Sequence, residues 1–158
     1  MMGGVPVWCG AVNLDPQELP HVVVGACMEV HRHLGAGMPC GVYRDCLAQE
    51  LRMKEILFRR DVSAPYLYKG MRVEPGVVME FLVEEMLLVS VVSADAGDGP
   101  SMERLRSLLR LTGYEVGLLV NFNVAHLREG VRRIIVAAEP PVLHYRQDPG
   151  VVVPTAPV

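Results

Sequence analysis

Long apolar runs, cysteine pairs and strong basic clusters are all missing from this sequence. No stretch approaches eighteen apolar residues without a charge, so there is no candidate for a membrane-spanning helix. The opening segment, MMGGVPVWCGAVNLD, has neither a basic leader nor a long apolar core. It is not a signal peptide, and a cytoplasmic location is expected. Four cysteines occur, Cys9, Cys27, Cys40 and Cys46, and none forms a CxxC pair. Free thiols in a reducing compartment are the expectation, rather than disulfides. No lysine follows Lys69. Basic residues adjoin only at Arg59-Arg60 and around Arg128, Arg132 and Arg133, and both groups read as solvated surface. With 15 Lys+Arg against 18 Asp+Glu the net charge is −3, the wrong sign for a protein living on phosphate backbones.

What the chain has in excess is apolar character. Its 158 residues are 51% hydrophobic and 21% charged, with a mean hydropathy of +0.27. That length fits one domain with a sizeable core. The surplus apolar surface is most simply covered between subunits, so a homo-oligomer is expected.

Residues 1–14 are rich in Gly and Val and read as an N-terminal arm, with Val5, Val7 and the lone Trp8 as candidate self-association residues. A helix begins at Asp15-Pro16 or restarts at Pro20. Val23, Ala26, Val30 and Leu34 then recur at helical spacing, Cys27 reads as core packing, and Gly35 and Gly37 end the helix. A second helix spans about Pro39 to Lys54. The period then shortens to that of strands. Ile56–Val62 is one strand, Tyr66–Tyr68 and Met71–Val73 form a hairpin around Lys69-Gly70, and Val77–Val83 and Met86–Ser93 are two more. The run MLLVSVVS is apolar enough for a central strand buried on both faces. Ser101 caps a third helix ending at Thr112-Gly113, and Tyr114–Phe122 and Val131–Val136 are the last strands. The order predicts a single α/β domain, residues 15–138, on one mixed sheet flanked by helices. Residues 139–158 carry five prolines. They read either as a disordered tail or as a segment that docks on a neighbour or a sheet edge through Leu143, Tyr145, Val151, Val152 and Val153.

Two blocks carry a family resemblance. GACMEVHRHLGAG followed by VYRDCLAQEL resembles the opening of the GxxExxY proteins, and TGYEVGLLVNFNVAHLREGVRRI resembles their closing segment. These are small bacterial relatives of the PD-(D/E)xK nuclease superfamily, and the likeness covers about residues 17–136. It implies that superfamily's mixed sheet and a metal-binding carboxylate cluster, in which acidic oxygens hold a hard cation and a lysine serves the attacking water. Carried over position by position, most of that site is gone. Gly37 and Tyr43 of the name motif remain, but Cys40 stands where its glutamate belongs, and a thiol is a poor ligand for Mg²⁺. Glu80 keeps the next carboxylate. Ser90 and Val92 replace the Glu and Lys of the following strand, and Arg104 and Leu108 replace a Gln and a Tyr on the next helix. No register change on that strand restores the lysine. Glu29 and His31 match the family's EVH and could form a residual polar site with Glu80, or serve as ordinary helix hydrogen-bonding groups.

The resemblance therefore implies a nuclease fold that does not cut nucleic acid and holds no metal or other cofactor. The sequence points to a structural, self-assembling module working through its terminal arms. The alternatives are a nucleic-acid-binding or regulatory module, or an enzyme that uses Glu29, His31 and Glu80.

Overall fold

The computed structural model describes residues 14–94 and 99–137. The candidate arm residues Val5, Val7 and Trp8, and the tail residues Leu143, Tyr145, Val151, Val152 and Val153, lie outside the described residues.

Both helix starts read from the sequence have a structural counterpart. Asp15 Oδ1 accepts the Gln17 N–H at 2.8 Å, and the Asp15 carbonyl accepts the N–H groups of Glu18 and Leu19. That turn leads into helix α1, Leu19–Leu34, with Pro20 in its first turn, where the missing N–H costs nothing. Leu19, Val23, Ala26, Cys27 and Val30 are buried at three- and four-residue intervals. Gly35, at φ 68°, closes the helix through its N–H to the His31 carbonyl. Helix α2, Cys40–Met53, buries Tyr43, Leu47, Ala48 and Leu51 against the same core.

The chain continues as β1 (Phe58–Tyr68), β2 (Met71–Val83), β3 (Leu87–Val92), α3 (Gly99–Thr112), β4 (Val116–Asn121), a one-turn α4 (Leu127–Gly130) and β5 (Val131–Ile135). The five strands lie side by side in chain order. All neighbours are antiparallel except β3 and β4, whose parallel connection runs through α3. β3 is covered on both sides, as its composition required. Leu87, Val89 and Val91 join the core beneath α1 and α2, while Leu88 and Val92 pack with Leu105, Leu108 and Leu109 of α3. Among the described residues no helix is long and apolar enough to cross a membrane.

Three local expectations are corrected. The segments split at Pro65 and Pro75 are one long ribbon, not separate short strands. β1 absorbs Pro65 at a register shift between Ala64 and Tyr66, so the ladder resumes beyond it. Helix α3 starts at Gly99, which puts Ser101 in its first turn rather than at its cap. Arg59 and Arg60 are not simply solvated, because each is held by a carboxylate. Arg59 makes a two-pronged pair with Glu85 at 2.7 and 2.8 Å, and Arg60 Nη1 reaches Asp45 at 2.9 Å while its guanidinium lies over the Phe81 ring.

The β1–β2 ribbon also changes faces. Phe58, Phe81 and Val83 pack under α1 and α2, whereas Val62, Ala64, Val77 and Met79 pack against α3. The switch falls at Asp61 and Glu80, and Asp61 sits at φ 50°. Under strict alternation residues of one parity stay on one face, so Phe81 and Val83 can face one layer and Val77 and Met79 the other only because the ribbon is irregular at Asp61 and Glu80.

Cys27 is fully buried, and that burial pushes its thiol up to about 12. The folded thiol stays protonated at pH values where an unfolded one ionises, so its contribution to stability is intact below about pH 9 and is lost as pH rises toward 12. We expect Cys27→Ala to flatten the alkaline fall in unfolding free energy by at most about 1.4 kcal/mol per pH unit. Denaturant titrations at pH 7 to 11 check this, and identical slopes for variant and parent would contradict it.

Candidate functional site

The last paired residues of β2 and β3 are Phe81 and Val89. Beyond them the strands part, and the Glu80 side chain fills the gap. Its Oε1 accepts the Ser90 hydroxyl at 3.0 Å and its Oε2 accepts the Val91 N–H at 3.0 Å. One carboxylate thus satisfies a backbone donor that the ladder leaves over. Hydrogen bonds to a charged acceptor contribute roughly 1.5–3 kcal/mol each. On the other side of Val91, the Cys40 thiol donates to the Val91 carbonyl at 3.4 Å from the first turn of α2. Burial, and then the negative charge of Glu80, push the Cys40 thiol up, with Arg44 and the Ser93 backbone offsetting only part of this. The thiol is accordingly a neutral donor, not a thiolate ligand.

Cys40, Glu80 and Ser90 are therefore brought together around the single backbone unit of Val91. Val92 is half-buried against the α3 cluster, and its carbonyl accepts the Phe122 N–H at 2.9 Å. Leu108 is buried in the same cluster. Arg104 has a different neighbourhood. It is exposed and lines a shallow groove with Gly76, Val77, Val78, Ser107, Leu111 and one side of Leu108.

Glu29 and His31 do not join Glu80. Glu29 turns to Arg32 on its own helix at 2.7 Å, and that bond holds its carboxyl below the ordinary carboxylate range. His31 Nε2 meets the Val124 carbonyl at 2.9 Å and its ring tilts against Phe122, tying α1 to the segment after β4.

Three residues that the sequence reading left in the background organise the site. Tyr43 is fully buried, and its ring stacks on Phe122 with centroids 4.4 Å apart. Its hydroxyl donates to the Gly35 carbonyl at 2.5 Å and accepts the Met38 N–H at 3.1 Å, closing the α1–α2 turn that delivers Cys40. Asn121 Oδ1 accepts the N–H groups of Ala94 and Asn123, and its amide donates to the Ala94 carbonyl, which joins the ends of β3 and β4. Arg44 lies beside Glu80, its Nε 3.9 Å from Oε2, and its Nη2 donates to Asp61 Oδ1 at 2.5 Å. Tyr43 is legible in the sequence as the tyrosine on which the family resemblance rests, though not its hydrogen bonds. No sequence signal marks Arg44 or Asn121.

A hard divalent cation takes several oxygen ligands, and with Arg44 in place these residues do not fit one. Both oxygens of Glu80 already accept hydrogen bonds, Ser90 points its proton at the carboxylate, and a guanidinium stands next to it. Among the described residues, no three His, Cys, Asp or Glu side chains form a group that could hold a metal ion.

Compared with known proteins, residues 17–134 match the family model of the PD-(D/E)XK nuclease superfamily. No curated protein and no solved structure matches the chain.

Proposed function

This chain belongs to the PD-(D/E)XK nuclease superfamily, and from that premise we propose that it is a GxxExxY-type member that no longer cleaves phosphodiesters and acts as a structural, self-assembling module. The observation that carries the first half is the state of Glu80. The one carboxylate at the superfamily's ligand positions is spent on Ser90 and on the Val91 N–H. Cys40, Ser90 and Val92 supply no oxygen anion or ammonium beside it. Nuclease chemistry of this type needs a cation to stabilise developing charge and activate water, and nothing in this arrangement replaces that.

The assembly half rests on apolar surface. Tyr68 and Met71 are exposed at the ribbon tip, and Ile135 is exposed on the edge strand β5. A sheet edge offers backbone N–H and C=O groups with which another chain can pair. The N- and C-terminal segments 1–14 and 139–158 add to this by composition. The alternative of a nucleic-acid-binding or regulatory module has less support, since carboxylates neutralise Arg59 and Arg60.

Purified protein is expected to show no Mg²⁺- or Mn²⁺-dependent cleavage of duplex or single-stranded substrates, and to form oligomers by size exclusion with light scattering at tens of micromolar. Deleting residues 1–14 or 139–158 should shrink those oligomers. Metal-dependent cleavage that Glu80→Gln abolishes would overturn the first half, and a monodisperse monomer would overturn the second. Binding of labelled duplex at about 50 mM salt, where the electrostatic attraction is near its strongest, would favour the nucleic-acid alternative.

A further inference from the structure

Two Arg-Asp dipeptides, Arg44-Asp45 on α2 and Arg60-Asp61 on β1, cross-pair in the fold. Arg44 Nη2 reaches Asp61 Oδ1 at 2.5 Å, and Arg60 Nη1 reaches Asp45 Oδ1 at 2.9 Å. The Arg44 end of this crossing does more than join two elements. Its guanidinium lies between two carboxylates, hydrogen-bonded to Asp61 and with Nε 3.9 Å from Glu80 Oε2. The side chains of Arg44 and Glu80 are only 25% and 21% exposed, so water screens this pair less than a surface pair. Arg44 Nε is itself buried and has no hydrogen-bond partner among the described residues. A buried charged donor left in that state is costly, and the Glu80 charge is the compensation nearest to it.

From this we infer that Arg44 is a built-in cation: its guanidinium bridges Asp61 and Glu80 and holds the place where an exchangeable metal ion would otherwise balance their charge. The disagreement between the superfamily's metal-binding chemistry and this site then has a positive content. The carboxylates that are present have a permanent, covalently attached partner. A guanidinium is always protonated and cannot be chelated away, so the packing of α2 on the β1–β2 ribbon would be independent of divalent metal. This inference does not depend on the assembly role. It would survive if the protein proved monomeric.

The test is a double-mutant cycle on the full chain with Arg44→Gln, Glu80→Gln and the combined variant, read by urea denaturation, each with and without millimolar Mn²⁺ or Ca²⁺. Each single variant should be destabilised. The pair should couple by about tenfold in the unfolding equilibrium constant, as residues in one charge network do. In Arg44→Gln, where Asp61 and Glu80 are left unbalanced, added cation should raise the urea midpoint, because a ligand that binds only the folded state stabilises it. Wild type and the combined variant should show no such shift. Arg44→Lys keeps the charge, so it should stay insensitive to cation and guards against reading a folding failure as support. Losses that simply add, or an Arg44→Gln midpoint that cation leaves unmoved, would overturn the inference.

Discussion

Replacing Tyr43 with alanine is expected to lower the unfolding free energy by about 3–5 kcal/mol, which for a domain of this size lowers Tm by roughly 10 °C. The ring is fully buried and stacked on Phe122, so truncation leaves a cavity against a second aromatic as well as losing apolar burial. The hydroxyl adds a separate contribution. It donates to the Gly35 carbonyl and accepts the Met38 N–H, so its loss strands two backbone groups in the α1–α2 turn. Tyr43→Phe should isolate that part at about 1–2 kcal/mol. Because the turn sets the start of α2, the alanine variant should also loosen Cys40 from the Val91 carbonyl, and thiol labelling of Cys40 should quicken more than its overall destabilisation explains. Chemical denaturation with kinetics of thiol modification measures both. An alanine variant within about 1 kcal/mol of wild type would show that Tyr43 does not anchor the α1–α2 turn.

Gly76→Ala should be comparably severe, at about 3 kcal/mol or more, but its damage should be local. Gly76 sits at φ 84°, a conformation that side-chain-bearing residues rarely adopt. A Cβ there would also overlap the carbonyl oxygen of Ala64, a backbone atom that cannot step aside. Ala64 is where β1 shifts register to pass Pro65, so the backbone that a Cβ on Gly76 would strike lies at the irregular point of the ladder. Relief requires the distal ribbon to lift from α3, exposing Val62, Ala64, Val77 and Met79. Amide exchange should therefore accelerate across β1, the distal half of β2, and α3 before it changes in α1 or α2. Uniform acceleration over the whole domain, or near-wild-type stability, would contradict this account.

Much of the fold was legible because it follows from short-range physics. The three- and four-residue spacing of Val23, Ala26, Val30 and Leu34 specifies a helix face; the first three are buried as expected, and Leu34 at the helix end is half-buried against the same core. The unbroken apolar run around Leu87–Val92 specifies a strand covered on both faces, which β3 is. What failed was punctuation. The strand bounds read from the sequence skip residues 63–65 and 74–76, because nothing local shows that a register shift opposite Gly76 can carry the ladder past Pro65 and Pro75. Asp61 and Glu80 were equally opaque in this respect. A change of face in a two-stranded ribbon depends on which helix lies on each side, and that is set by α2 and α3.

The site divides along the same line. Sequence by itself determined which functional groups stand at particular positions. Residue identity settles that Cys40 and Ser90 are not carboxylates and that no lysine follows Lys69, since no conformation can supply a functional group the chain does not encode. It also determined membership of the superfamily through two blocks in the right order. Only the tertiary structure decided what the remaining groups do. It turned Glu80 onto Ser90 and the Val91 N–H, set Arg44 between that carboxylate and Asp61, and sent Glu29 to Arg32 instead. The physical reason is that hydrogen bonds and ion pairs depend on distances of a few ångströms between residues far apart in the chain. Arg44 and Glu80 are joined by packing alone, and no pattern along the sequence records it.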